Sequence, residues 1–152
     1  MDLTEKKGLM MEVPIFDQLS PDEQEIVAKR LDVSNLGKGE VLFKEGSLGN
    51  TLYYLISGKM EVHKASMDGK QTVLSTFSRG SIIGEQALLE LEPRRGATMV
   101  AVEDCRLFLL NRNVFDDMVN DYPRVGVAIL RGVGRMLSER LRTISGRFAD
   151  SN

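Results

Sequence analysis

The sequence contains no tryptophan, one cysteine and one histidine among 152 residues. The single cysteine, Cys105, excludes an internal disulfide. The single histidine, His63, leaves too few ligands or bases for a protein-built zinc site or a histidine-dependent triad. Both residues lie in strand-like runs. We therefore interpret Cys105 as a core residue, with a reactive thiol as the open alternative, and His63 as a solvated or hydrogen-bonded imidazole.

A long apolar run is also absent. No segment approaches the roughly 18 to 20 apolar residues that span a bilayer, and the charged start, residues 1–7, is not followed by the apolar core of a secretory signal. We expect a cytoplasmic protein with no membrane partner. The net charge of −2 argues against broad nucleic-acid binding. Residues 131–147 nevertheless contain five arginines and one glutamate, which a solvated helix face explains at least as well as a partner does.

The rest of the composition is typical of one globular domain, with 42% hydrophobic and 28% charged residues. Near the N-terminus, Ser20, Pro21 and Glu23 form the pattern of a capping box with proline at the first helical position. This pattern predicts a helix of about three turns. Its apolar positions are Ile26, Val27, Ala28 and Leu31.

Residues 33–111 have the composition of short strands. Runs rich in Val, Ile, Leu, Tyr and Phe are interrupted by Gly, Asn, Asp and Ser, and Asp68-Gly69 is a strong hairpin-turn signal. About eight short strands in this stretch predict a β-barrel or a double-sheet roll. Six of them are the candidate strands 41–43, 51–56, 59–64, 72–77, 97–102 and 106–110.

The pattern after residue 111 is helical. Apolar residues over 114–119 predict a short amphipathic helix, and Pro123 marks a break before a last helix over 124–145. Gly132 and Gly134 weaken that helix by roughly 1 kcal/mol each relative to alanine, so we expect a bend or a closely packed neighbour there. Its apolar positions form one stripe, typical of a packing or dimer seam. They are Ile129, Val133, Met136, Leu137, Leu141 and Ile144.

The order of these elements predicts an α+β fold with segregated helices and strands. The strands form an antiparallel β-roll of the double-stranded β-helix, or jelly-roll, type. We divide the chain into an N-terminal extension (1–13), one domain (14–146) and a tail (147–152). Within the domain, the roll covers about residues 33–111 and the C-terminal helices cover about residues 112–146.

One glycine-containing segment carries the chemical signal. Gly84 permits a ligand to approach the backbone closely, or an unusual φ. The amides of Gln86, Ala87 and Leu88 open a short helix whose unpaired N–H groups favour an anion. Arg95 supplies a fork of donors for phosphate oxygens.

Glu85 lies next to this candidate anion site in the sequence. Its carboxylate would repel a phosphate unless it turned toward a hydroxyl, such as one on ribose. The ligand would thus be an anion that also carries a hydroxyl and is held inside a β-roll. A nucleotide fits this description better than a simple phosphate does. The competing interpretation is a surface salt bridge between Glu85 and Arg94 or Arg95, which the residue types alone would favour.

This segment resembles the phosphate-binding cassette of the cyclic nucleotide-binding domain family, which includes catabolite activator proteins, kinase regulatory subunits and cyclic-nucleotide-gated channels. The family pattern Phe/Ile-Gly-Glu-x-Ala/Gly-Leu is matched by residues 83–88, and Arg-Ala/Ser/Thr-Ala-Thr/Ser is matched by residues 95–98 except at Gly96. The resemblance extends over about residues 14–146 and includes the family's glycine positions in 39–46 and 49–58 and its C-terminal helix in 137–142.

The resemblance implies a role for each cassette residue. Glu85 accepts a hydrogen bond from the ribose 2′-hydroxyl, and Arg95, rather than its neighbour Arg94, pairs with the equatorial oxygens of the cyclic phosphate. Backbone groups complete the cup around the phosphate. The ligand-binding set is Gly84, Glu85, Gln86, Ala87, Leu88, Arg95, Gly96 and Ala97.

Two further expectations concern the base. Gly96 stands where the family often has Ala, Ser or Thr, and a hydroxyl there helps to hold guanine in cGMP-selective members, so the resemblance favours cAMP over cGMP. The base-contacting residues of the last helix vary across the family. The candidates for base or lid contacts by position are Arg140, Thr143, Ile144 and Ser145.

The implied function is a regulatory sensor module that binds a cyclic nucleotide and needs no cofactor. It signals to a protein effector through movement of the C-terminal helix. The same helix is a candidate contact with a second copy of the chain in a homodimer. The alternatives are a non-binding member that acts as an interaction or dimerisation module, and a truncated transcription regulator. The chain stops at residue 152, soon after the last predicted helix, so we expect no helix-turn-helix domain and no direct DNA binding. We expect no enzymatic activity.

Overall fold

The computed structural model describes residues 1–150, with side chains described through residue 147. Its contacts divide the chain into two compact units. The roll unit contains residues 30–115, and the helical unit combines residues 2–29 with the residues from 116 onward. The helices are α1 (Leu3–Met10), α2 (Pro21–Ala28), α3 (Gln86–Leu89), α4 (Arg112–Asp121) and α5 (Pro123–Asp150), and a 3₁₀ turn spans Pro14–Phe16.

The roll unit is built from two four-stranded antiparallel sheets, with strand orders β1-β8-β3-β6 and β2-β7-β4-β5. This confirms the predicted jelly-roll architecture. The strands are β1 (Asp32–Leu36), β2 (Val41–Phe43), β3 (Thr51–Ser57), β4 (Lys59–Ala65), β5 (Gln71–Ser78), β6 (Ile82–Ile83), β7 (Thr98–Ala101) and β8 (Cys105–Asn111).

The roll core lies between the two sheets. In β4, Met60 and Val62 are buried in it while Glu61 and His63 alternate onto the other face, as a strand requires. Cys105 is also in this core, and burial raises the pKa of its thiol. His63 lies 3.0 Å from the Glu61 carboxylate. Both sequence interpretations, a core cysteine and a hydrogen-bonded histidine, are confirmed.

The helical unit contains the predicted capping box. Glu23 Oε1 accepts a hydrogen bond from the Ser20 amide at 2.9 Å, and Ser20 Oγ accepts one from the Glu23 amide at 3.3 Å. Helix α2 ends at Ala28 after eight residues, so it is shorter than predicted.

Helix α5 differs from its prediction in two respects. It continues past Ser145 to Asp150, into the predicted tail, whose residues 151–152 lie outside the described residues. Its apolar residues also form two stripes rather than one. Ile129 and Val133 are buried, whereas Leu141 and Ile144 are 64% and 61% exposed. Leu141 and Ile144 lie on a different face of the helix from Ile129 and Val133, and the face of Ile129 and Val133 is the one that packs within the helical unit.

The two glycines of α5 have different surroundings. A Cβ on Gly132 would lie 2.6 Å from the Cα of Ile15 in the 3₁₀ turn, so the predicted close neighbour exists at this position. A Cβ on Gly134 would meet nothing within 4 Å among the described residues. Gly132 is therefore required by packing inside the unit, and Gly134 is not.

Candidate functional site

Gly84 follows β6 and precedes α3. Its φ of +77° lies in the left-handed region, which glycine adopts at little cost. A Cβ at this position would lie 2.2 Å from Nη1 of Arg95 and 3.2 Å from the Thr51 carbonyl oxygen. Both the backbone conformation and the contact with Arg95 therefore require glycine; the unusual φ was predicted from the sequence, and the contact with Arg95 was not.

Arg95 is held inside the roll unit and is only 5% exposed. Its backbone is fixed by two hydrogen bonds: its amide donates to the Ser47 carbonyl at 2.8 Å, and its carbonyl accepts from the Gly46 amide at 2.7 Å. The guanidinium Nη2 donates to the Thr51 carbonyl at 2.9 Å. Within the described part of the chain, the buried Nε and Nη1 atoms have no hydrogen-bond partner.

The guanidinium of Arg95 also lies against aromatic rings and a second glycine. Its central carbon is 4.3 Å from the ring centroid of Phe43 and 5.7 Å from that of Tyr53. Cation–π contacts of this kind are worth roughly 0.5 to 2 kcal/mol. A Cβ on Gly49 would lie 1.8 Å from Nε. We call the four residues Phe43, Gly49, Tyr53 and Gly84 the arginine cradle.

The electrostatics of the cradle favour an anion. Burial lowers the pKa of Arg95 from its usual value, while Tyr53 and Glu85 act in the opposite direction. Arginine nevertheless remains charged in proteins. A buried cation with unpaired donors is costly, because the donors have lost water without gaining another acceptor. An anionic group at Nε and Nη1 would relieve that cost.

Arg94 and Arg95 occupy different environments. Arg94 is exposed and its Nη1 donates to the Gly46 carbonyl at 3.0 Å. Arg95 is buried, which excludes the surface salt bridge that was the competing interpretation for it. Glu85 is half-buried immediately before α3, and Gln86 Nε2 donates to its carboxylate at 3.4 Å.

The expectation for the amides of α3 is wrong for two of the three residues. The Ala87 amide donates to the Gly84 carbonyl and the Leu88 amide donates to the Glu85 carbonyl, both at 3.1 Å. A four-residue helix closes its first turn with such tight bonds, so these N–H groups are not left unpaired. Among the described side chains, the buried donors without partners belong to Arg95.

The second half of the cassette is more open. Gly96 is exposed, and a Cβ there would meet nothing within 4 Å in the described chain. Its carbonyl accepts a hydrogen bond from Lys64 Nζ at 3.0 Å. Ala97 is half-buried and packs against the roll core. Crowding therefore does not explain the glycine at position 96.

Sequence reasoning missed several residues that the fold places on Arg95. Phe43, Tyr53 and the Thr51 carbonyl come from β2 and β3, far from the cassette in sequence. Gly49 was assigned only a structural role in the resemblance. No local pattern marks the contact between these residues and Arg95.

The predicted base or lid residues lie on α5 in the helical unit. Arg140 is half-buried, and Thr143 Oγ1 donates to the Glu139 carbonyl at 3.0 Å. Ile144 and Ser145 are exposed. Their roles stay predictions.

Two other features are absent from the described residues. No group of three or more His, Cys, Asp or Glu side chains is placed to hold a metal ion. None of the described helices is long and apolar enough to cross a membrane.

Comparison with known proteins supplies a family. The family model for the cyclic nucleotide-binding domain matches residues 33–122. The cyclic AMP receptor protein of Thermus thermophilus is 30% identical over 129 residues, which is 85% of this chain and 57% of that protein. The cAMP-dependent protein kinase regulatory subunit of Hypocrea atroviridis is 32% identical over 113 residues, which is 74% of this chain and 23% of that protein.

A solved structure shows the same fold. A cyclic nucleotide-binding domain from Methylobacillus flagellatus superposes with a TM-score of 0.83 at 20% identity and covers 99% of this chain and 84% of that one. The chain spans less than two thirds of the length of the two curated relatives above.

Proposed function

Because this chain belongs to the cyclic nucleotide-binding domain family, we propose that it is a regulatory module that binds cAMP in the cassette and reports occupancy through α5. The choice of cAMP is supported by the names of the relatives, a cyclic AMP receptor protein and a cAMP-dependent kinase regulatory subunit. It is also supported by Gly96, which lacks the hydroxyl that helps to hold guanine. Both relatives are named as receptors or regulators, so we propose no catalytic activity and no cofactor.

One observation carries this proposal: Arg95 is buried with two N–H donors that have no partner in the described chain. A cyclic phosphate would give both donors a charged acceptor. Charge-assisted bonds of this type are worth about 1.5 to 3 kcal/mol each. Glu85, half-buried beside the same turn, is suited to accept from the ribose 2′-hydroxyl.

The proposed cup around the phosphate is completed by backbone groups. Gly84 allows the approach because it has no side chain. The amides of Ala87 and Leu88 contribute only if they exchange their hydrogen bonds to the carbonyls of Gly84 and Glu85 for hydrogen bonds to the ligand. The other proposed backbone contacts come from Gln86, Gly96 and Ala97.

Binding would also change the arginine cradle. Nε and Nη1 of Arg95 are inaccessible to solvent, so a phosphate reaches them only when the side chain leaves Phe43 or the cassette opens. The ligand would therefore favour a second arrangement of the cassette, as a population shift requires. We propose that this rearrangement is the signal passed to α5, with Arg140, Thr143, Ile144 and Ser145 as candidate base contacts. A protein effector and a second copy of the chain are the two possible recipients.

Calorimetric titration of cAMP and cGMP into wild type, Arg95→Ala, Arg95→Lys and Arg94→Ala tests the proposal. We expect Arg95→Ala to lose roughly 1.5 to 3 kcal/mol of cAMP binding free energy. Arg95→Lys should lose less, because the charge remains but the fork is lost. Arg94→Ala should bind like wild type, since Arg94 lies on the surface. Circular dichroism on each variant separates loss of binding from loss of fold.

A non-binding module is the second candidate function. It is favoured by the same burial, because the Thr51 carbonyl and the Phe43 ring already hold Arg95. If the folded wild-type chain gives no heat and no thermal shift with either nucleotide, the cAMP proposal is wrong and this alternative replaces it.

A further inference from the structure

Strand β4 places one lysine on the inner face of the roll. Side chains alternate between the two faces of a strand, and the buried residues of β4 are Met60 and Val62. Of the three charged residues in this strand, Lys59 and Glu61 alternate onto the other face, and only Lys64 shares the face of the buried pair. The register shift between β4 and β5 adds its extra residue to β5, so the alternation along β4 is not interrupted. A cation therefore lies at the end of an otherwise apolar face.

The sheet register brings Lys64 to the cassette. His63 pairs with Thr98 in the antiparallel ladder of β4 and β7, so Lys64 and Ala97 follow as the next register position. Ala97 packs against the roll core, which places it on the inner side as well. The Lys64 Nζ atom donates a hydrogen bond to the Gly96 carbonyl at 3.0 Å. A residue outside the cassette thus reaches two members of the proposed ligand-binding set.

The ammonium of Lys64 can bind more than the Gly96 carbonyl. A lysine ammonium carries three donors, and the structure gives this one a single hydrogen bond and no carboxylate partner in the described chain. Lys64 and Gly96 are both exposed, and a Cβ on Gly96 would meet nothing within 4 Å among the described residues. The space beside this turn is therefore open to a ligand.

One acid comes close to the end of β4. Glu45 Oε1 accepts a hydrogen bond from the Ala65 amide at 3.0 Å. Glu45 also lines a cavity with His63 and Thr98, whose side chains alternate onto the outer face of the sheet. This carboxylate is therefore bound on the outer side of the sheet, and it leaves the charge of Lys64 uncompensated on the inner side.

Lys64 and Arg95 differ in their access to solvent. Nε and Nη1 of Arg95 are inaccessible, so an anion that arrives from solution cannot reach them until Arg95 leaves the arginine cradle. The ammonium of Lys64 is accessible before any rearrangement. Arg94 is exposed too, but its guanidinium is bound to the Gly46 carbonyl, outside the ligand-binding set. An arriving phosphate therefore finds an accessible cation of this site in Lys64.

We propose that Lys64 is the first cation to bind the phosphate of the cyclic nucleotide, and that it speeds association before Arg95 leaves the arginine cradle. A cation at the mouth of a site raises the local concentration of an anionic ligand and its rate of association. The inference rests on the proposed function and adds to it a residue outside the cassette pattern. Because the charge acts on the approach of the ligand, its effect belongs mainly to the association rate constant.

Stopped-flow fluorescence with cAMP that carries a fluorophore on the base measures the association and dissociation rate constants of the full chain. Lys64→Gln removes the charge and keeps a donor for the Gly96 carbonyl, whereas Lys64→Arg keeps the charge. Lys59→Gln is the matched control, because Lys59 is an exposed lysine of the same strand on the opposite face. Circular dichroism checks that each variant is folded.

The charge of Lys64 should determine the result. We expect Lys64→Gln to slow association roughly three- to tenfold at low salt and to leave dissociation nearly unchanged. The difference from wild type should shrink as salt is raised, because ions screen the attraction between Lys64 and the phosphate. Lys64→Arg and Lys59→Gln should both associate like wild type.

Three results overturn the role of Lys64. They are equal association rates in Lys64→Gln and Lys59→Gln, equal slowing in Lys64→Gln and Lys64→Arg, and a difference from wild type that salt does not alter. Any of these, with a wild type that binds cAMP, leaves the cAMP proposal intact. A wild type that does not bind cAMP overturns both proposals, so the two failures are distinguishable.

Discussion

The two units of this chain place arginines in opposite surroundings. In the roll unit, Arg95 is 5% exposed, lies over the Phe43 ring and keeps two donors without partners in the described chain. In the helical unit, the Arg135 side chain is 48% exposed and is paired with Asp17 at 2.8 Å. Water screens the exposed pair, so it contributes little. An arginine thus becomes a candidate ligand-binding residue only where burial keeps water and carboxylates away from its donors.

The largest effect on this comparison is expected from Gly84→Ala. The substitution strains a backbone with φ of +77° and displaces Nη1 of Arg95. We expect a loss of roughly 2 to 4 kcal/mol in the free energy of unfolding, from strain and overpacking together, measured by urea denaturation. The control is Gly96→Ala, where space is open and the change should stay below about 0.5 kcal/mol. Equal losses in both variants would show that the cradle around Arg95 has no special requirement for glycine.

The next effect tests close packing in the helical unit. Gly132→Ala places a Cβ against the Ile15 backbone, which cannot move as a side chain can. Overpacking should exceed the gain in helix propensity, so we expect a net loss of about 1 to 2 kcal/mol in thermal or urea unfolding. Gly134→Ala, with open space, should instead stabilise by up to roughly 1 kcal/mol. A gain in both variants would contradict the contact with Ile15.

A smaller effect is expected at the aromatic wall of the arginine cradle. Phe43→Leu removes the closer cation–π contact and should make it easier for Arg95 to leave its buried position. We expect the binding free energy of cAMP to become more favourable by roughly 0.5 to 1 kcal/mol, while the free energy of unfolding falls. Phe108→Leu removes a buried ring of the roll unit that stacks on Tyr54, and it should lower stability alone. If Phe43→Leu weakens cAMP binding, the ring positions Arg95 for the ligand instead of restraining it.

The smallest effect concerns the exposed ion pair. The hydrogen bond from Arg135 lowers the pKa of Asp17 in the folded chain. The contribution of the Asp17–Arg135 pair to stability is therefore present above the unfolded pKa of Asp17. It is lost as the pH falls through the lower pKa of Asp17 in the folded chain. We expect Arg135→Ala to reduce stability slightly at neutral pH and not at pH below the folded pKa, measured by urea midpoints across that range. Arg131→Ala, which removes an arginine with no acidic partner in the described chain, should show no such pH dependence.

Much of the fold could be predicted from local patterns. Alternating apolar residues and turn signals located β4 and β5 and the hairpin at Gly69, because strand period and turn chemistry are properties of neighbouring residues. Strand β1 was not among the candidates. Its sequence Asp-Val-Ser-Asn-Leu has low strand propensity, and it forms because it pairs with β8.

The candidate site was predicted only in part. Gly84 and Arg95 were identified from the cassette pattern, but the pairing of the Ala87 and Leu88 amides was not, because hydrogen bonding in a four-residue turn depends on its final geometry. The division of α5 into a buried and an exposed stripe was likewise missed. Which apolar residues are covered depends on what packs against the helix.

By itself, the sequence determined the order of the elements, the caps and turns, and the identity of the cassette, since each depends on residues a few positions apart. Only the tertiary structure decided that Arg95 is buried, that Phe43 and Gly49 surround it, and that Leu141 and Ile144 of α5 stay exposed. Those features arise from contacts between segments distant along the chain. Burial depends on such contacts, and burial is what turns one arginine into a candidate anion site and leaves another on the surface.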